Sequence, residues 1–162
     1  MKDNIIYSIK IRNDKTIPCN LHYKYVRIID EDDEGNQYRK TVKYMENTVT
    51  TSVKLMEFLT KQPKYVRNIV LYITKHLTYN QTVLELKNKE ILKEFDNSDK
   101  MYPSDVTKGL QILKTEGIIQ RIREREDYKN DNMFSQYDYF INPEYIFNGS
   151  INHIIKTSKA KC

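Results

Sequence analysis

The sequence predicts an α+β chain, with a small antiparallel β element first and a helical unit ending in a β-wing after it. Three observations carry that reading. Apolar and polar residues alternate with period two through much of the first 45 residues. Apolar stripes at helical spacing then take over from residue 49 to residue 113. Finally, residues 64–142 read in order as helix, short strand, helix, turn, helix, strand, loop, strand, which is the order of a winged helix-turn-helix. The expected organisation is a β-rich extension over 1–48, a winged-helix domain over 49–149 and a tail over 150–162.

The first strand is expected near Ile5–Arg12, where Tyr7, Ile9 and Ile11 share one face. A second is expected over Leu21–Ile29, where Leu21, Tyr23 and Tyr25 alternate with His22 and Lys24. Asp30-Glu31-Asp32-Asp33-Glu34-Gly35 breaks the chain, and Tyr38–Met45 returns as a third strand. The acidic run lacks the spaced oxygen donors of a calcium loop, so a solvated turn is the simpler reading.

Val49, Val53, Met56 and Leu59 recur at helical spacing, and Pro63 follows the stop. Tyr65, Ile69, Ile73 and Leu77, flanked by Val66 and Val70, mark a second helix running to about His76. Thr82–Leu86 is a short strand, and Asn88–Phe95 a short helix burying Ile91, Leu92 and Phe95. Asp96-Asn97-Ser98-Asp99 is a turn cluster. Pro103 suits the first turn of the next helix, with Asp105 well placed against its positive end. Val106, Leu110 and Leu113 stripe its inner face, and Gly117 stands where a left-handed cap belongs. Ile118–Arg125 and Phe134–Asn142 are the two wing strands, and Pro143 ends the second.

The helix over 103–116 carries the sharpest functional signal. With Val106, Leu110 and Leu113 turned to the core, Ser104, Thr107, Lys108 and Gln111 face outward, flanked by Lys114 or Thr115. These are base-reading side-chain types: Lys donates to guanine, Gln pairs with adenine through two bonds, and Ser or Thr serves base or phosphate. On the wing, Arg121, Arg123 and Arg125 are spaced by two, hence expected on one strand face, with Lys129, Asn130 and Asn132 at the tip. Such a set could grip phosphates, although Glu124, Glu126 and Asp127 are interleaved. A charge-paired solvent face is an equal reading of the wing.

The net charge of +5 is unevenly spread. Residues 1–29 carry +4, residues 30–35 carry −5 and residues 36–75 carry +6, while 76–100 carry −1 and 101–162 carry +1. If a polyanion is bound, the N-terminal half is expected to supply grip and the nearly neutral winged helix selectivity.

Several classes are disfavoured. The longest apolar run, Ile69-Val70-Leu71-Tyr72-Ile73, is too short to span a membrane, and no secretory h-region follows Met1-Lys2-Asp3-Asn4. Two cysteines, Cys19 and Cys162, fit a reducing cytoplasmic compartment. No CxxC or HxxxH spacing offers a zinc site, and His22, His76 and His153 are isolated. A DNA-nicking enzyme would need a metal-holding His-x-His beside its tyrosine, and none occurs. No phosphate-binding glycine loop or Gly-x-Ser-x-Gly is present, so neither enzyme activity nor a cofactor is expected.

Residues 64–149 resemble the RepL-type replication proteins of small plasmids of Gram-positive bacteria, and more weakly the likeness extends to about residue 36. The residues that carry it are Tyr38-Arg39-Lys40-Thr41, the segment Val106–Ile119, and the ending Tyr139-Phe140-Ile141-Asn142-Pro143-Glu144-Tyr145-Ile146-Phe147-Asn148-Gly149. The turn before residue 103 and the wing loop are longer here than that family's pattern. The resemblance implies sequence-specific binding of double-stranded DNA at a replication origin and recruitment of host replication proteins. Thr107, Lys108 and Gln111 would read bases while Arg121 and Arg123 hold the backbone. A transcriptional regulator would use the same parts, and a winged-helix protein-interaction module is a further alternative. A homodimer is also expected, through the N-terminal strands or the Val49–Leu59 helix, because readers of repeated half-sites pair economically.

Overall fold

In the computed structural model the described residues are 4–10, 16–45, 48–95, 100–125 and 132–149. They form a mixed α+β chain with four α-helices and small antiparallel sheets. The chain divides into two units, Met1–Thr48 and Val49–Cys162.

The first unit is an antiparallel meander of order β1-β2-β3, with β1 at Asn4–Lys10, β2 at Thr16–Glu31 and β3 at Gln37–Met45. β2 pairs with β1 through its first half, Ile5 opposite Leu21, and with β3 through its second, Ile29 opposite Arg39. The expected turn joins β2 and β3. Its anchor is the Asp32 carboxylate, which accepts from the Asn36 N–H at 2.8 Å and the Glu34 N–H at 3.0 Å. The bond from the Asn36 backbone, with one from its side chain, holds the Asp32 carboxyl below its usual range. Asp32 thus serves the turn itself, while Asp30 pairs with Lys40 across the ribbon.

In the second unit, β4 (Thr50–Thr51) pairs with β8 (Ile146–Phe147), tying the unit's start to its end. Ser52 then caps α1 (Val53–Thr60), its Oγ accepting from the Leu55 N–H at 3.1 Å. This changes the expected phase of α1. The stripe Val49, Val53, Met56, Leu59 is not its buried face: Val53 is 74% exposed and Met56 55%. Leu55 is buried instead, with Phe58 and Leu59 partly so. Residues 50–51 are extended by their pairing with β8, so the helix begins later than the stripe assumed.

α2 (Lys64–His76) and α4 (Pro103–Glu116) pack against each other, with α3 (Asn88–Phe95) against both. Val66, Ile69, Val70, Tyr72 and Ile73 of α2 are buried, as are Ile91 and Phe95 of α3 and Val106, Leu110 and Leu113 of α4. Gly109 faces α2 with no room for a side chain. A Cβ there would run into Ile69 and Tyr65, so the missing side chain sets the helix spacing. β5 (Val83–Glu85), β6 (Ile119–Arg121) and β7 (Asp138–Ile141) form a second sheet of order β5-β7-β6. Ile119 faces Ile141 and Arg121 faces Tyr139 in its register.

The two strands after α4 are shorter than the sequence predicts. β6 ends at Arg121, and Ile122–Glu124 turns as one 3-10 step, closed by the Arg125 N–H on the Ile122 carbonyl at 3.0 Å. The partner strand explains this. β7 begins only at Asp138, whose carboxylate closes a turn by accepting from the Ser135 N–H at 2.7 Å. With little ladder to pair, the chain turns and buries Ile122. Among the described residues, no helix is long and apolar enough to cross a membrane.

Candidate nucleic-acid interface

α4 is held at both ends and along one face. At its start the Asp105 carboxylate accepts from the Tyr102 N–H at 3.0 Å, and Pro103 occupies the first turn, where no N–H is needed. At its end Gly117 adopts φ 82°, and the Ile118 N–H returns to the Leu113 carbonyl at 3.0 Å. The last carbonyls find side-chain donors from far along the chain. Asn142 Nδ2 donates to the Gly117 carbonyl at 3.0 Å, and the Tyr145 hydroxyl to the Glu116 carbonyl at 3.4 Å. Asn142 also accepts the Glu144 N–H at 3.0 Å, and its carbonyl accepts from Tyr145 and Ile146. The Asn142-Pro143 step therefore fixes the exit of α4, a role that sequence reading saw only as a strand stop.

This anchoring leaves Ser104, Thr107, Lys108 and Gln111 on the exposed face of α4. They differ in freedom. Thr107 Oγ1 donates to the Pro103 carbonyl at 3.2 Å and accepts from Asn88 Nδ2 at 3.3 Å, so it is tied to the start of α3. Gln111 Nε2 lies 3.5 Å from the Thr115 hydroxyl. Lys108 and Ser104 are exposed.

The basic residues behind that face are organised differently from the expected row. Lys114 Nζ lies 3.0 Å from Glu124, and Arg121 lies 3.8 Å from the same carboxylate. Arg121 also donates to the Tyr139 hydroxyl at 2.9 Å, and its guanidinium sits 5.5 Å from that ring. The tyrosine bond, with Glu124 nearby, raises the Arg121 pKa against the opposing effect of burial. Arg123 follows on the 3-10 step and is exposed, while Arg125 lies 6.0 Å from the Phe140 ring. Arg121, Arg123 and Arg125 therefore do not share one strand face, because the strand stops at the first of them. Lys129 and Asn130, like the turn cluster over 96–99, lie outside the described residues.

α4, the start of α3 and the sheet together enclose an open cleft of about 580 Å³. Thr107, Gln111, Lys114 and Arg121 of the predicted set line it, and so do Lys87 and Lys89, which sequence reading passed over. The missed signal was their place at the first turn of α3, next to the outward face of α4. Neither a family model, nor a curated protein, nor a solved structure matches this chain.

Proposed function

We propose that the Val49–Cys162 unit is a winged-helix domain and that the protein binds double-stranded DNA sequence-specifically through α4. The observation that carries this is the division of α4. Val106, Leu110 and Leu113 are buried, while Ser104, Lys108 and Gln111 stand exposed on a helix pinned at both ends. The sheet order β5-β7-β6, with α3 and α4 inserted between β5 and β6, supports the winged-helix reading. Such a helix can enter a major groove and present donors to base edges.

Action as a plasmid replication initiator in the cytoplasm, with host replication proteins as partners, rests on the resemblance carried by Val106–Ile119 and Tyr139–Gly149. A homodimer belongs to the same proposal, with the exposed Val53 and Met56 of α1 as its candidate surface. A protein-interaction module is the second reading. It is favoured by the pairing of Lys114 and Arg121 with Glu124, which reduces the charge available to phosphates.

Selection of bound fragments from a random duplex pool tests the proposal. The expected result is a recovered consensus. Its position beside the gene on a small replicon would favour origin binding, and its position at unrelated promoters a transcriptional regulator. An empty selection rejects DNA reading in favour of the protein-interaction module.

The first unit is proposed to add sequence-independent grip, since Arg27 and Arg39 are exposed on it and pair opposite Thr41 and Ile29 in one ribbon. Arg39→Glu should weaken binding to random duplex and lower the slope of log K against log salt by about 0.9, one phosphate contact. An unchanged slope assigns the grip elsewhere.

A further inference from the structure

The cleft between α3, α4 and the sheet has a chemical character of its own. Lys87, Lys89, Lys114 and Arg121 line it, and among the described residues no carboxylate does. The acids that pair with these cations, Glu85 at 2.7 Å from Lys87 and Glu124 at 3.0 Å from Lys114, lie outside the lining. Lys89 is exposed at the first turn of α3, where an α-helix carries backbone N–H groups without intrahelical acceptors. Its floor is formed by the buried Leu86, Leu110 and Tyr139. One donor at this place is unsatisfied: Arg121 Nε is fully buried with no hydrogen-bond partner. Orphaned charged donors cost stability unless an acceptor reaches them. The two tyrosine rings at the cleft already lie under cations, Tyr137 with Lys87 at 5.6 Å and Tyr139 with Arg121 at 5.5 Å.

We propose that this cleft binds a compact, multiply charged phosphate group, held by Lys87 and Lys89 on one side and by Lys114 and Arg121 on the other. Lys87 shares its charge with Glu85, and Lys114 and Arg121 share theirs with Glu124, so the four cations leave a net positive lining that suits a di- or triphosphate moiety. The competing occupant is a backbone phosphodiester of bound DNA, which carries one charge per phosphate and is the other outcome that the test distinguishes. Thr107 and Gln111 line the cleft and also belong to the outward face of α4. A free ligand in the cleft therefore excludes DNA from α4, which makes it an inhibitor of the reading proposed above. Binding of the free ligand does not depend on that reading; its inhibitory effect does.

The test uses the full chain and inorganic pyrophosphate, titrated calorimetrically at constant ionic strength. Lys89→Glu is compared with Lys93→Glu at the other end of α3, and thermal melts confirm that both variants fold. Saturable binding that Lys89→Glu weakens by at least about tenfold, and Lys93→Glu leaves unchanged, supports a free ligand. In that case pyrophosphate should also displace duplex DNA beyond its effect on ionic strength. Absence of pyrophosphate binding, together with about tenfold weaker duplex binding by Lys89→Glu and a salt slope lower by about 0.9, supports the backbone occupant. If Lys89→Glu behaves as Lys93→Glu toward both probes, the cleft is not a phosphate site. Failure of the chain to bind duplex DNA leaves the pyrophosphate arm intact, so the two proposals fail separately.

Discussion

Leu113→Ala should destabilise the Val49–Cys162 unit by about 2–5 kcal/mol, the cost of removing a fully enclosed Leu side chain. Leu113 is 0% exposed on the inner face of α4, in the same cluster as Ile69, Ile73 and Ile91. Truncation leaves a cavity in a close-packed cluster that the surrounding helices fill only in part. Such a loss is a large share of the roughly 5–15 kcal/mol that holds an ordinary domain together. Denaturant unfolding of the full chain measures it. The neighbouring Ile112, only partly buried, provides the scale: Ile112→Ala should cost less. Under conditions where the variant stays folded, binding to specific and to random duplex should fall together, since the outward side chains are untouched. A Leu113→Ala cost under about 1 kcal/mol would mean that α4 is not anchored through this residue.

What the sequence made legible follows from where the determinants lie. α4 was readable in full because its start, its stripe and its stop are all local: Pro103, the Val106/Leu110/Leu113 spacing and Gly117. α2 was readable for the same reason, its apolar spacing predicting the buried Val66, Ile69, Val70 and Ile73. The phase of α1 was not, because Thr50 and Thr51 are drawn into a strand by Phe147 and Ile146, almost a hundred residues later in the chain. The expected length of the strand after Gly117 failed in the same way. Arginines spaced by two imply a common face only while the strand continues. Whether β6 continues past Arg121 depends on β7, which starts at the Ser135–Asp138 turn. The cleft escaped sequence reading because it joins the first turn of α3, the outer face of α4 and two strands. No local pattern spans those elements. Asn142 was visible as a stop signal, but its bond to the Gly117 carbonyl is a tertiary fact.

The double substitution Lys108→Ala/Gln111→Ala should carry the largest functional effect. Each bidentate or donor contact to a base edge is worth about 1–3 kcal/mol of discrimination, so two independent contacts would lose about 2–6 kcal/mol at the recovered consensus. The two positions are one helical turn apart, and if both side chains read the same base pair the loss falls toward the lower figure. Neither side chain is buried, and the Gln111 side chain makes a long 3.5 Å contact with Thr115. The melting temperature should therefore stay close to that of the parent chain, surface changes of this kind lying within about 0.5 kcal/mol. Random duplex should lose far less than the consensus, so the ratio between the two collapses. Equal loss on both would demote Lys108 and Gln111 to backbone contacts, and no loss on either would remove α4 from the interface. The contrast with Leu113→Ala then separates structure from recognition on a single helix. The inner-face variant should lose stability and keep its preference among sequences, while the outer-face variant should keep stability and lose that preference. Only a helix that is anchored on one side and reads on the other gives both results.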